Sequence, residues 1–162
     1  MSKLIQLIVW GGALFISAIF VDSLRFKFSG HETPKHIFET LKDWSGIGLF
    51  YPAGPWIIGL AELFAAILLI VLPLIFLLSK NKRLLRLSQA LGALLALGVM
   101  SGAIVFHLFT PLGIATPVEW VNGEPTKFSN ALFISACVSW GFALFILLYR
   151  RKELRADALQ FS

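Results

Sequence analysis

The chain has 162 residues, 57% of them hydrophobic and only 14% charged, with a mean hydropathy of +0.81. A soluble domain of this length carries about 25% charged residues and could not hide so much apolar surface, so lipid is the expected solvent. The net charge of +5 and pI of about 9.7 do not indicate nucleic acid, because the basic residues cluster beside hydrophobic runs, where they act as topology signals and headgroup partners.

A bilayer core about 30 Å thick needs roughly 20 apolar residues as a helix, and four stretches qualify. The first spans about residues 4–21 and carries no charge. It follows Lys3, is long for the apolar region of a signal peptide and lacks an A-x-A cleavage site, which favours an uncleaved anchor. Beyond it, Asp22 and Arg25 stand three apart and can pair on one turn if the helix continues.

The loop from Asp22 to about Gly54 is too long for a simple connection. Within it Thr33-Pro34 reads as an N-cap with proline at the first helical position. Ile37, Phe38, Leu41 and Trp44 then repeat at helical spacing, which predicts a short amphipathic helix at the membrane surface, as a seal or as a lid.

The second span covers about residues 55–78 and contains one ionisable residue, Glu62. A charge within a span is costly and normally faces other helices and pairs. Glu62 lies about seven residues in, roughly 10 Å at 1.5 Å per residue, on a face shared with Gly59 and Ala66. The third span, about 87–109, places Gly92, Ala96, Val99, Ala103 and His107 along one face and a Gly98/Gly102 GxxxG beside it; both stripes suit close helix packing, within the chain or in a homo-oligomer. A Pro- and Gly-rich loop follows from Thr110 to Ser129, and the fourth span covers about 130–149. Trp56 and Trp120 suit the aromatic belt.

Charge sets the direction. Lys80, Lys82, Arg83 and Arg86 lie between spans two and three, and Arg150, Arg151, Lys152 and Arg155 follow span four, whereas acids balance the bases of the other loops. Span count and the positive-inside rule agree on cytoplasmic termini. The expected fold is therefore an all-α membrane protein, an antiparallel four-transmembrane-helix bundle with an amphipathic helix in its first outer loop, forming a single domain over residues 1–162.

At the outer end the polar candidates converge. Glu62 and His107 are the candidate catalytic residues, with Lys27, Arg25 and Asp22 as ligand-binding or ion-pair partners. Two readings stand side by side: a proton-relay or ligand pocket, and a structural ion pair of Glu62 with Lys27 or Arg25 that fixes spans one and two. His31, His36 and His107 lack i, i+4 spacing, and without thiolates a structural zinc site is not expected. The lone Cys137 sits in an apolar run and admits neither an internal disulfide nor a CxxC pair. No G-x-S-x-G, phosphate-binding loop or dinucleotide fingerprint is present. Four spans with no inverted repeat and no proline-interrupted core do not suit a self-sufficient transporter.

Several pieces in order resemble the DoxX and DoxX-like membrane proteins: Phe20 to Phe28 and then Ser29-Gly30, with Lys27 at the family's lysine; Ile37-Phe38 to Leu41; Gly59-Leu60-Ala61-Glu62-Leu63; Gly92-Ala93; and Gly102 to Leu108, closing with His107. They cover about residues 10–110. The resemblance implies a four-helix protein of the bacterial inner membrane. Some relatives are associated with thiosulfate–quinone oxidoreduction or with membrane-bound thiol and oxidative-stress complexes. The single Cys137 argues against thiol chemistry in this chain but leaves room for a quinone or lipid in the pocket and for a membrane or outer-side redox partner protein that holds the cofactor. The competing expectation is a non-catalytic scaffold or lipid-binding protein.

Overall fold

A computed structural model describes residues 3–159. The four apolar stretches form four helices long and apolar enough to cross a membrane. The first, α1, is Lys3–Phe28, and α2 is Glu32–Ser45. The second long helix consists of α3 (Ala53–Ala66), a π-helical turn (Ile67–Val71) and α4 (Leu72–Leu78). The others are α5 (Lys82–Phe109) and α6 (Ala131–Leu159). They alternate in direction. The short turn at Ser79–Asn81 and both chain ends lie at one end, called here the termini end, and the longer connections lie at the other.

Each long helix packs against two others: α1 on α3 and α6, and α5 on α3, α4 and α6. Val9, Ala13, Ile16 and Phe20 of α1 meet Ala65 and Leu69, Ala93, Ala96 and Met100 of α5, and Ala136, Ala143 and Ile146 of α6 in one core. Half of these core residues are alanine, which lets the helices approach closely, as suits helices of membrane-spanning length and composition. Gly92 illustrates the point: a β-carbon there would lie 2.9 Å from Leu68 Cβ and 3.0 Å from the Leu69 backbone nitrogen.

The helices outrun the apolar stretches. α1 continues through Asp22, Arg25 and Lys27, α5 starts five residues before position 87, and α6 runs through the basic segment after position 149. The second long helix is also interrupted, contrary to the sequence expectation of no proline break. Pro73 has no N–H, so neither the Leu69 carbonyl (α spacing) nor the Leu68 carbonyl (π spacing) has a donor at position 73. Two neighbours on α5 supply the missing hydrogen bonds. Ser88 Oγ donates to Leu68 O at 2.8 Å, and Gln89 Nε2 donates to Leu69 O at 3.3 Å.

Gln89 also accepts from Arg150 Nε at 2.8 Å. Arg150 is only 1% exposed; it also bonds Glu153, and Gln6 Oε1 at 3.2 Å. Near the termini end a single guanidinium thus touches α1, α5 and α6, and reaches the proline break through Gln89.

The opposite end is not all-α. Thr116–Val121 (β1) and Glu124–Ser129 (β2) pair as an antiparallel hairpin. Asn122 and Gly123 both have positive φ, 52° and 82°, as the two central residues of a type I′ turn require. The hairpin leans on α2. Thr33 Oγ1 donates to Pro117 O at 3.0 Å and accepts from Trp120 Nε1 at 3.0 Å, and the His36 ring lies against Trp120. Thr33 is therefore not the N-cap of α2. His31 is, with Nδ1 accepting from Thr33 N at 3.1 Å. The amphipathic helix itself is present, burying Phe38 and Leu41 and ending at Gly46.

Candidate functional site

Helical spacing decides which charges of α1 meet Glu62. Ser23 and Lys27 are four apart and lie on the face that also carries Ile16 and Phe20, which are buried. Arg25 lies roughly 160° round the helix from Lys27 at about 100° per residue. Lys27 Nζ contacts both Glu62 carboxylate oxygens, at 2.8 and 2.7 Å, and Ser23 Oγ donates to Oε2 at 2.6 Å. Lys27 also lies 3.1 Å from Ser23 Oγ, closing a triangle. Glu62 is 4% exposed, on the buried face it shares with Gly59 and Ala66.

Arg25 and Asp22 take no part in the triangle. They pair with each other at 2.9 Å, with side chains 69% and 60% exposed. This is the i, i+3 contact expected of a continuing helix. The ring of Phe26 sits beneath the Arg25 guanidinium, 4.5 Å from it.

His107 is 6% exposed. Its Nδ1 lies 2.6 Å from Gly113 O. A carbonyl only accepts, so Nδ1 carries the hydrogen and the neutral ring keeps its lone pair on Nε2. Nε2 makes no hydrogen bond to any described residue. His107 does not hydrogen-bond Glu62; the two meet across a space. A cavity of about 220 Å³ is lined by Ser23, Lys27, Glu62 and His107 among apolar residues such as Met100 and Leu112.

A second cavity, of about 350 Å³, lies alongside. It shares Ile19, Ser23, Lys27, Ile37, Phe38, Leu132 and Ser135 with the first, and adds Thr33 and Pro34 of α2 and Val118 of β1. The amphipathic helix and the hairpin thus roof a chamber whose walls are the long helices. Its chemistry is that of a site for an apolar molecule with a polar head: hydrocarbon walls, the Lys27 ammonium, the Glu62 carboxylate and the free His107 nitrogen, with Asp22 and His31 also lining the larger cavity.

No match to this chain is found among protein-family models, curated proteins or solved structures. The DoxX resemblance therefore rests on the quoted motifs alone.

The other candidates are elsewhere engaged. His31 caps α2 and His36 stacks near Trp120. No group of three or more His, Cys, Asp or Glu suited to a metal gathers among the described residues. Cys137 is exposed on α6. The GxxxG pair does not pack helices within the chain: β-carbons built on Gly98 and Gly102 meet nothing within 4 Å, and both glycines line the smaller cavity.

Sequence reasoning missed two contributors. Ser23 was legible as the residue one turn before Lys27 once α1 is carried past position 21. The roof strand with Val118 was legible in the Asn122-Gly123 pair, a strong hairpin signal.

Proposed function

We propose that this chain is a DoxX-like, redox-associated subunit of the bacterial inner membrane that binds a quinone-type molecule in the chamber near the outer face. In this reading the four long helices cross the bilayer as an antiparallel bundle with both termini in the cytoplasm. The observation that carries it is the Lys27–Glu62–Ser23 triangle facing, with the free His107 nitrogen, into an otherwise apolar cavity. An intramembrane charge cluster beside a cavity is a functional arrangement by default, and the residues fit a quinone head group.

A bound quinone supplies two-electron, two-proton chemistry. Lys27 would turn an N–H from Ser23 to a carbonyl oxygen of the oxidised form, and His107 Nε2 would accept from a hydroxyl of the reduced form. Glu62 holds the ammonium in place and exchanges protons with it through the 2.7 Å contact. The electrons come from a partner protein on the outer side. The α2 helix and the hairpin keep water from the head group.

Binding of a decyl-substituted benzoquinone to the protein in lipid nanodiscs tests this. Lys27→Met removes a charge-assisted hydrogen bond worth about 1.5–3 kcal/mol, so affinity falls roughly ten- to a hundredfold. His107→Ala weakens binding less and slows partner-dependent quinol turnover. Absence of saturable binding to the wild type would sink the reading.

A second reading has its own support. Lys27, Glu62 and Ser23 satisfy one another without a ligand, as a structural clamp between spans one and two would. That scaffold or lipid-binding reading predicts that Glu62→Gln lowers stability and changes nothing else. A normally folded Glu62→Gln protein that loses quinone turnover excludes it.

A further inference from the structure

The smaller cavity does not end at the polar triangle. On the side between α3 and α5 it meets a surface groove of about 460 Å³, and the two share Ile58, Gly98 and Val99. The rest of the groove is leucine: Leu91, Leu94 and Leu95. Leu91 and Leu94 are exposed on the outside of the helices, so this wall would face acyl chains. Gly98 stands at the junction, with nothing within 4 Å of where its β-carbon would be. It lies about 16 Å from the Phe109 end of α5, at 1.5 Å per residue, and the leucines continue toward the middle of that helix. His107 lies on the hairpin side of Gly98 along α5, and Glu62 lies one turn further from the hairpin end of α3 than Ile58 does.

We infer that the Gly98 junction is a side doorway from the bilayer, and that the groove along 91–95 seats the hydrocarbon tail of a single-tailed amphiphile whose head lies at Lys27, Glu62 and His107. The inference rests on the binding reading above and adds the tail's route and the class of ligand. The occupant follows from continuity. An apolar groove that shares the wall of a buried polar chamber matches a molecule with one hydrocarbon end and one hydrogen-bonding end. His107, a residue 6% exposed whose Nε2 makes no hydrogen bond among the described residues, supplies a place for that head at the chamber end. A two-tailed lipid would need a second groove from the chamber, and the larger cavity leads instead under the α2 and hairpin roof. A glycine at the junction keeps the doorway open, since a bulky side chain would fill it.

The experiment uses the full chain in nanodiscs and a benzoquinone probe with a photoreactive diazirine near the end of a ten-carbon tail. Labelling is mapped by mass spectrometry with and without excess tailless dimethoxy-methyl-benzoquinone. The expected result is labelling at 91–95 that the tailless competitor removes. In Gly98→Phe it falls at least tenfold, whereas Gly141→Phe, at an exposed α6 glycine with equally open surroundings, labels as wild type does. Leu94→Trp obstructs the groove from its other end and gives the same loss if Gly98→Phe does not fold.

Competed labelling that maps to α6 or the roof overturns the doorway and leaves quinone binding standing. Labelling that no competitor removes overturns both. If Gly98→Phe leaves labelling intact but converts a dimer to a monomer, the groove is an interface between two copies and the inference is wrong.

Discussion

Lys27 and Glu62 define the residue scale, and their worth separates into two quantities. Removing one member of a buried pair leaves the other uncompensated, at about 3–5 kcal/mol, whereas replacing both by apolar groups is often near neutral. Lys27→Met alone is therefore expected to destabilise strongly, and Lys27→Met with Glu62→Met to recover much of the loss in a denaturant titration. Equal losses in the single and double variants would mean that the pair is not shielded from water. Asp22→Ala and Arg25→Ala, at an exposed pair, should each cost less than about 1 kcal/mol. The contrast was half legible in the sequence. A carboxylate in an apolar run must find a partner, which pointed to Glu62 and to a base on span one. The choice between Arg25 and Lys27 depended on α1 staying helical beyond its apolar stretch, because only then does Lys27 share a face with Ser23. Hydropathy ends at Val21 and is blind to that continuation.

At the scale of elements, Pro73 and Thr33 each create a dependence that hydropathy could not reveal. Ser88 stands in for a missing backbone donor at position 73, so Ser88→Ala leaves a buried carbonyl unsatisfied and should cost about 1–3 kcal/mol. In a Pro73→Ala background the new N–H reaches the same carbonyl, and the cost of Ser88→Ala should shrink. Additive costs in that double-mutant cycle would refute the account. Thr33→Val breaks both hydroxyl contacts to the hairpin, and faster amide exchange over 116–129 is the expected readout. The cross-strand Lys127–Glu119 contact, 2.6 Å long, adds a pH signature. The hydrogen bond that Lys127 donates to Glu119 raises the lysine pKa above 10.5, so with Glu119 ionised the contribution is intact below that value and disappears as pH climbs through the raised one. Hairpin exchange protection should be flat from about pH 7 to 9 on this contact's account. The two elements differ in how they could have been read: the hairpin had its Asn-Gly signal, but the proline's replacement donors lie on another helix and become visible only when α5 is docked.

At the scale of the whole molecule, the two ends treat charge differently. At the hairpin end the exposed ion pairs are local and self-cancelling: Asp22 with Arg25, Glu32 with Lys35, and Glu119 with Lys127. At the termini end Arg86 and Arg150 are drawn into contacts with Glu153 and Asp157. Lys3, Lys80, Lys82, Arg83, Arg151, Lys152 and Arg155 are exposed there, with no ion partner among the described residues. A count of bases along the sequence gives the same bias but credits Arg86 and Arg150 with a signal that burial and pairing remove. Seven residues are left to hold the proposed orientation, each worth about 1 kcal/mol near an anionic surface. Cysteine labelling in a Cys137→Ser background tests the direction. A cysteine replacing Asn122, at the hairpin turn, should react with an impermeant maleimide on intact cells, and one replacing Asn81 only after permeabilisation. Changing all seven free bases to glutamine should populate the inverted form, whereas Arg150→Gln should leave orientation unchanged and lower stability instead, because its guanidinium holds three helices rather than a headgroup. The opposite pattern for Arg150 would place it in contact with lipid.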